Sequence, residues 1–170
     1  DFMTLEANDV AQVHRYLDLG AKWEICHSPM DTLTSNAVVE LLKIVKDKPV
    51  LLSETGAVEP RHAGPSKLYD IDKKGILLHD LLFAPFFSGA AGPGQSWHWQ
   101  HYIEKNNLWW HFQRFSEVIK GYNPINENPV PEEFNQGNFR VSALNGNNTV
   151  LIWIRDIHSN WETELTEKKE

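Results

Sequence analysis

Cysteine is almost absent from this sequence. The single Cys26 excludes an intrachain disulfide and any cysteine-based zinc site, and a lone thiol reads as a small buried hydrophobe. Blocks of Lys and Arg are missing too. Net charge is −7, with the acidic excess spread along the chain, so nucleic acid and anionic membrane surfaces find no electrostatic footprint. There is no long apolar run. The longest stretch without Asp, Glu, Lys or Arg, 81–103, is interrupted by Pro85, Pro93, glycines and polar groups, which excludes a membrane span. Despite eight histidines, no HExxH, HxH-carboxylate or Cys-His pattern occurs, so neither a metal nor a cofactor is expected. Asp1-Phe2-Met3 lacks a basic region followed by an apolar one, so no signal peptide is expected. The sequence opens in what reads as the middle of a domain, and a processed fragment is the expectation.

What is present is ordinary globular material: 170 residues, 41% hydrophobic and 23% charged, enough for one domain or one domain with a small appendage. Residues 10–16 read as a strand with a polar carboxyl end. Thr34-Ser35-Asn36 reads as a helix cap, followed by a helix over 36–47 that carries Val38, Leu41, Leu42 and Val45. A second strand covers 49–55, turned by Gly56, and a loop follows to 71. A helix is expected over 72–83, a third strand over 89–99 rich in small residues, and a helix over 107–120. After Gly121 the prolines at 124, 129 and 131 suggest a linker. Asn138–Ala143 and Thr149–Arg155, separated by an Asn-Gly turn, then predict a β-hairpin. The charged tail, 167–170, is expected to fray. Strands alternating with helices imply right-handed parallel βαβ units. Periodicity alone leaves a barrel piece and a small open sheet equally open.

Several residues could carry chemistry. Strand alternation places Val50, Leu52 and Glu54 on one face. A carboxylate there is either a strand-end group, capping a loop or ion-paired, or a functional group at the carboxyl end of a parallel strand, where active sites lie. Gln12, His14 and Tyr16 share a face of the first strand and suggest a lined pocket, although a lone core histidine is the blander alternative for His14. A Tyr16 hydroxyl donating to Glu54 would keep that carboxylate ionised. Trp97 and Trp99 flank His98, and indoles stack on the C–H faces of sugars; core packing is the alternative. Trp109 and Trp110 read equally well as helix packing, and Trp23, Trp153 and Trp161 as structural.

These motifs resemble a known group. Lys48-Pro49-Val50-Leu51-Leu52-Ser53-Glu54-Thr55-Gly56 resembles the seventh strand of retaining glycoside hydrolases of the (β/α)8-barrel superfamily that includes family 5, where the Glu is the nucleophile. His14-Arg15-Tyr16 resembles the end of the sixth strand. Phe86-Phe87-Ser88-Gly89-Ala90-Ala91-Gly92 through Ser96-Trp97-His98-Trp99 resembles the eighth, whose terminal Trp floors the sugar subsite. The resemblance implies an α/β fold: a partial (β/α)8 barrel of about three βα units over 1–121, a linker over 122–133, and the start of a β-sandwich-like domain over 134–170. A complete barrel needs roughly 250 residues. Catalysis would fall to Glu54, and substrate binding to His14, Tyr16, Trp97, Trp99 and His98.

The partner implied is a carbohydrate substrate, in an extracellular or periplasmic setting, with no nucleic acid, membrane or cofactor. The general acid/base of such enzymes is a Glu preceded by Asn on the fourth strand. Asn126-Glu127 lies in the proline-rich stretch and does not match that place. A missing amino-terminal barrel portion, or self-association across the open sheet edge, is therefore expected. The competing readings are a non-catalytic carbohydrate-binding or assembly fragment and a metal-dependent α/β hydrolase.

Overall fold

A computed structural model of the chain describes residues 2–167, so the tail read as fraying lies outside the described residues from 168 onward. The architecture is mixed α/β, with one parallel strand pair and one three-stranded antiparallel sheet. Strands β1 (Ala11–Leu17) and β2 (Val50–Ala57) pair in parallel and are joined through helix α1 (Met30–Ile44). Ala37, Val38 and Leu41 of α1 pack with Val45 against Ala11, Val50, Leu52 and Ala90, forming the smaller of two cores.

Helix α1 begins at Met30, well ahead of the expected start at Asn36. Thr34 and Ser35 lie inside it. Their hydroxyls donate to the carbonyls of Met30 at 2.7 Å and Thr32 at 3.2 Å. Bonding back onto the helix satisfies both hydroxyls, so they can be buried. Pro29 precedes the first turn, where a missing N–H breaks no helical bond.

Beyond β2, a short turn α2 (Leu68–Ile71) leads to α3 (Ile76–Phe87). The expected 72–83 helix is shifted because Asp72 lies ahead of it, three residues before the N-cap Gly75, and its side chain caps the helix end: the two carboxylate oxygens accept from the Ile76 and Leu77 N–H groups, each at 2.9 Å. Helix α3 is apolar nearly all round and buried on almost every side. It packs against α1, β2 and the antiparallel sheet at the centre of the larger core.

The segment expected as a third strand is not a regular one. It follows β2 with Ala91 N–H to Val50 O at 2.8 Å, Gln95 N–H to Leu52 O at 3.1 Å and Trp97 N–H to Thr55 O at 2.8 Å, and it forms one parallel bridge, Thr55 to Ser96. Gly92-Pro93-Gly94 bulges out between these contacts. Pro85 and Gly94 explain the irregularity together. Pro85 offers no N–H to the Leu81 carbonyl, which instead accepts from Gly94 N–H at 3.2 Å. A Cβ at position 94 would lie 2.5 Å from that carbonyl oxygen.

A wide turn, Gln100–Glu104, then precedes α4 (Trp110–Val118). The stretch read as a linker holds α5 (Pro124–Glu127), capped by the Asn123 side chain, and the start of β3 (Val130–Gln136). Exposed along its whole length and carrying Pro131, β3 is an edge strand. It pairs with β4 (Phe139–Asn145), which pairs with β5 (Val150–Asp156) as the Asn-Gly turn predicts. The sheet docks on the helices through Leu144 and Trp153, which join the larger core together with Trp161 from beyond β5. Arg155 lies against buried Asp80, Nε to Oδ1 at 2.8 Å, and Arg140 pairs with Asp31. Among the described residues no helix is long and apolar enough to cross a membrane.

Candidate active site

Glu54 does not follow simple alternation. Val50 and Leu52 face α1, and alternation would put Glu54 beside them on the apolar face. The register slips instead: Val13 stands opposite Leu52 and His14 opposite Glu54, leaving Ser53 as an extra residue. A bulge of this kind re-aims the side chains that follow it. The Ser53 hydroxyl meets Gln12, while Glu54 meets Tyr16 and His14 on the same face of β1. The apolar-face placement is thereby corrected, and the cost of a carboxylate among aliphatic groups does not arise.

The Tyr16 hydroxyl donates to Glu54 Oε1, and His14 Nδ1 lies 3.5 Å from the same oxygen. Burial, reinforced by Glu54, holds the Tyr16 phenol far above its ordinary value, so it remains a donor. The Glu54 side chain is 25% exposed and borders a cavity of about 430 Å³ lined by His14, Tyr16, Asp18, Trp23, Glu54 and His62 among others. Asp18, the second carboxylate of this cavity, is engaged through both oxygens. Oδ1 accepts from Gly20 N–H at 2.8 Å, and Oδ2 lies 3.3 Å from His62 Nδ1. Glu54, by contrast, is held through Oε1 alone.

The carboxyl end of β2 is braced from behind. Gly56 has φ 136°, and a Cβ there would fall 2.5 Å from the Tyr69 hydroxyl. That hydroxyl accepts from Ala57 N–H at 2.6 Å. Tyr69 stacks on Tyr102 at 4.2 Å, and Tyr102 donates to Asp72 at 2.5 Å. Burial raises both phenols, so each stays protonated. The strand end is thus tied through two rings to the cap of α3.

Trp97 lies beside the strand end through its bond to Thr55. His98 follows with φ 58°, a left-handed conformation uncommon outside glycine. Partial burial lowers the His98 pKa, with His101 adding to the effect and Glu54 opposing it. His98 Nδ1 is shielded from solvent and has no hydrogen-bond partner. The Trp97 and Trp99 rings are half exposed.

The structure thus gathers Glu54, His14 and Tyr16 at one cavity, sets His98 within electrostatic reach of Glu54, and places Trp97 and Trp99 just beyond. Sequence reasoning missed three contributors. Trp23 is not a core residue: it is half exposed, lines the cavity and lies under the Arg15 guanidinium at 4.0 Å. His62, edge-on to Tyr16 at 4.8 Å, comes from a loop without periodicity. Tyr69 had one available signal, the Gly56 that it requires. Trp153 and Trp161 are buried, as expected of structural residues.

Among the described residues no group of three or more His, Cys, Asp or Glu side chains is arranged to hold a metal ion. No protein-family model matches the chain, and comparison with curated proteins and with solved structures finds no match.

Proposed function

We propose that this chain is the carboxyl-terminal part of a retaining (β/α)8-barrel glycoside hydrolase, with β1, β2 and the segment at 89–97 as its last barrel strands and Glu54 as its nucleophile. The observation that carries the reading is the bulge before Glu54. It moves the carboxylate off the helix-packed face, at the carboxyl end of a parallel strand, into a cavity where a buried tyrosine hydroxyl holds one oxygen.

The mechanism is double displacement. Glu54 attacks the anomeric carbon to form a glycosyl ester while a carboxylic acid about 5–5.5 Å away protonates the departing oxygen; water then cleaves the ester, with that second residue acting as base. Tyr16 and His14 orient the attacking carboxylate, the His98 ring borders the bound sugar, and Trp97 and Trp99 stack on it. With Asp18 committed to Gly20 and His62, the acid comes from strands outside these residues. They add to β1, which pairs only with β2 among the described residues.

The engagement of Asp18 also favours one second reading, a carbohydrate-binding fragment without turnover. Turnover by the unaltered protein with its remaining barrel strands present separates the two, and Glu54→Gln in that protein tests the nucleophile. The proposal predicts loss of turnover with the fold and sugar binding retained, and wild-type turnover in this variant overturns it.

A further inference from the structure

We infer that Trp99 and Trp109, backed by Phe112, form a sugar-stacking row running on from the Glu54 cavity, so that the substrate is a neutral glycan several units long. The inference rests on the glycosidase reading of Glu54.

Trp99 follows Trp97 by two residues, and Trp97 is bonded to the backbone of Thr55, next to Glu54. Across the wide turn, Trp109 returns to lie 6.2 Å from Trp99, and Phe112, packed against the larger core, backs it at 5.8 Å. The Trp109 indole N–H donates to Glu104 at 2.9 Å, which pins the ring. Both indoles nevertheless stay 45–47% exposed, although rings of this size are usually mostly buried. A contiguous exposed aromatic surface beside a site marks an interaction surface.

The surroundings select the occupant. Glu104 keeps its negative charge beside the row while it accepts from Trp109, which disfavours an anionic glycan, and Lys105 is paired with Asp70 at 2.5 Å, so the row favours a neutral ligand. The exposed neighbours Gln100, His101 and Asn107 carry amide and imidazole groups suited to sugar hydroxyls. Trp110 stands apart. One face stacks on His111 at 3.7 Å and Arg114 lies 4.8 Å from its ring centre, which makes it an internal control.

The test is titration of the protein with di- and hexasaccharides of the cello-, manno-, xylo- and laminari- series, followed by calorimetry so that loss of a tryptophan does not remove the signal. Trp109→Ala is expected to weaken binding of the preferred hexasaccharide about tenfold, as loss of one stacking contact implies, with the disaccharide unchanged. Trp109→Phe should retain most of the affinity, and Trp110→Ala should alter neither length.

Equal loss on both lengths, no loss on either, or no binding by the unaltered protein overturns the row. So does self-association that Trp109→Ala abolishes, which would make the surface a protein interface. Failure of the two readings is distinguishable. A Glu54→Gln enzyme that keeps its turnover removes the nucleophile, whereas a flat length dependence beside an inactive Glu54→Gln enzyme removes only the row.

Discussion

Replacing Arg155 by methionine is expected to destabilise the fold by about 3–5 kcal/mol, the usual cost of leaving one member of a buried ion pair without its partner. Asp80 is 1% exposed, and Arg155 faces it with two contacts, Nε to Oδ1 at 2.8 Å and Nη2 to Oδ2 at 3.0 Å. The same guanidinium donates to the Ser159 carbonyl at 2.5 Å, so one side chain clasps β5 and the loop after it onto α3. Burial pushes the Asp80 carboxyl up to about 8 even against the downward pull of Arg155.

Without the arginine, the folded protein must protonate that carboxyl or bury a bare charge. An unfolded aspartate releases its proton near pH 3.9. The folded variant holds it to much higher pH, so between these limits the native state binds more protons and stability falls as pH rises. The paired carboxyl itself keeps its proton to about pH 8, so both proteins lose stability in parallel below that, and the deficit should be smaller at pH 7 than at pH 10. Urea unfolding followed by tryptophan fluorescence reads it directly, and a loss of this size moves the midpoint by more than about 1 M. Adding Asp80→Leu removes the stranded carboxyl and should restore most of the stability. A single-variant loss below about 1 kcal/mol, or no recovery in the double variant, would refute the reasoning.

Two further outcomes follow from the site and the core. Tyr16→Phe should lower kcat by about 10- to 100-fold, since a hydrogen bond to a charged group is worth roughly 1.5–3 kcal/mol; steady-state kinetics with an unchanged kcat would deny the hydroxyl its role. His79 is held down to about 4 by burial, with Arg155, His111 and Arg114 adding to the effect, and it meets the Trp153 indole N–H at 3.3 Å as a neutral acceptor. Its unfolded form takes up a proton near pH 6.5, so stability should fall as pH drops from about 6.5 to about 4, by on the order of 3 kcal/mol. His79→Gln should flatten that slope in urea titrations, and an equally steep slope in the variant would place the titration elsewhere.

The parts of the fold legible in the sequence were those with local periodicity. β1, β2 and the β4–β5 hairpin follow from alternation and the Asn-Gly turn, and the body of α1 from its apolar spacing. The parts that were not legible depend on contacts distant in sequence. The start of α1 is hidden because Thr34 and Ser35 bond back onto the helix in a packed setting, whereas the same residue types cap helices when exposed. β3 carries no apolar alternation because it is exposed throughout, so only its pairing with β4 reveals it.

Within the site, the company of Glu54, His14 and Tyr16 was readable from strand pairing. The bulge that makes it possible was not, since a one-residue slip in register leaves no mark in composition. Trp23 was misread, and Trp109 and Trp110 were left open, for a related reason: whether an indole is core or surface is decided by what folds over it.

The most direct test of Glu54 as nucleophile is to trap the glycosyl ester in the intact enzyme. A dinitrophenyl 2-deoxy-2-fluoroglycoside carries a leaving group that departs without protonation, and its fluorine slows hydrolysis of the ester, so labelling reports the nucleophile independently of the acid/base. Mass spectrometry should show one added glycosyl group, located on the peptide that contains Glu54 and absent from Glu54→Gln. Labelling at another carboxylate, or undiminished labelling of Glu54→Gln, would contradict the account.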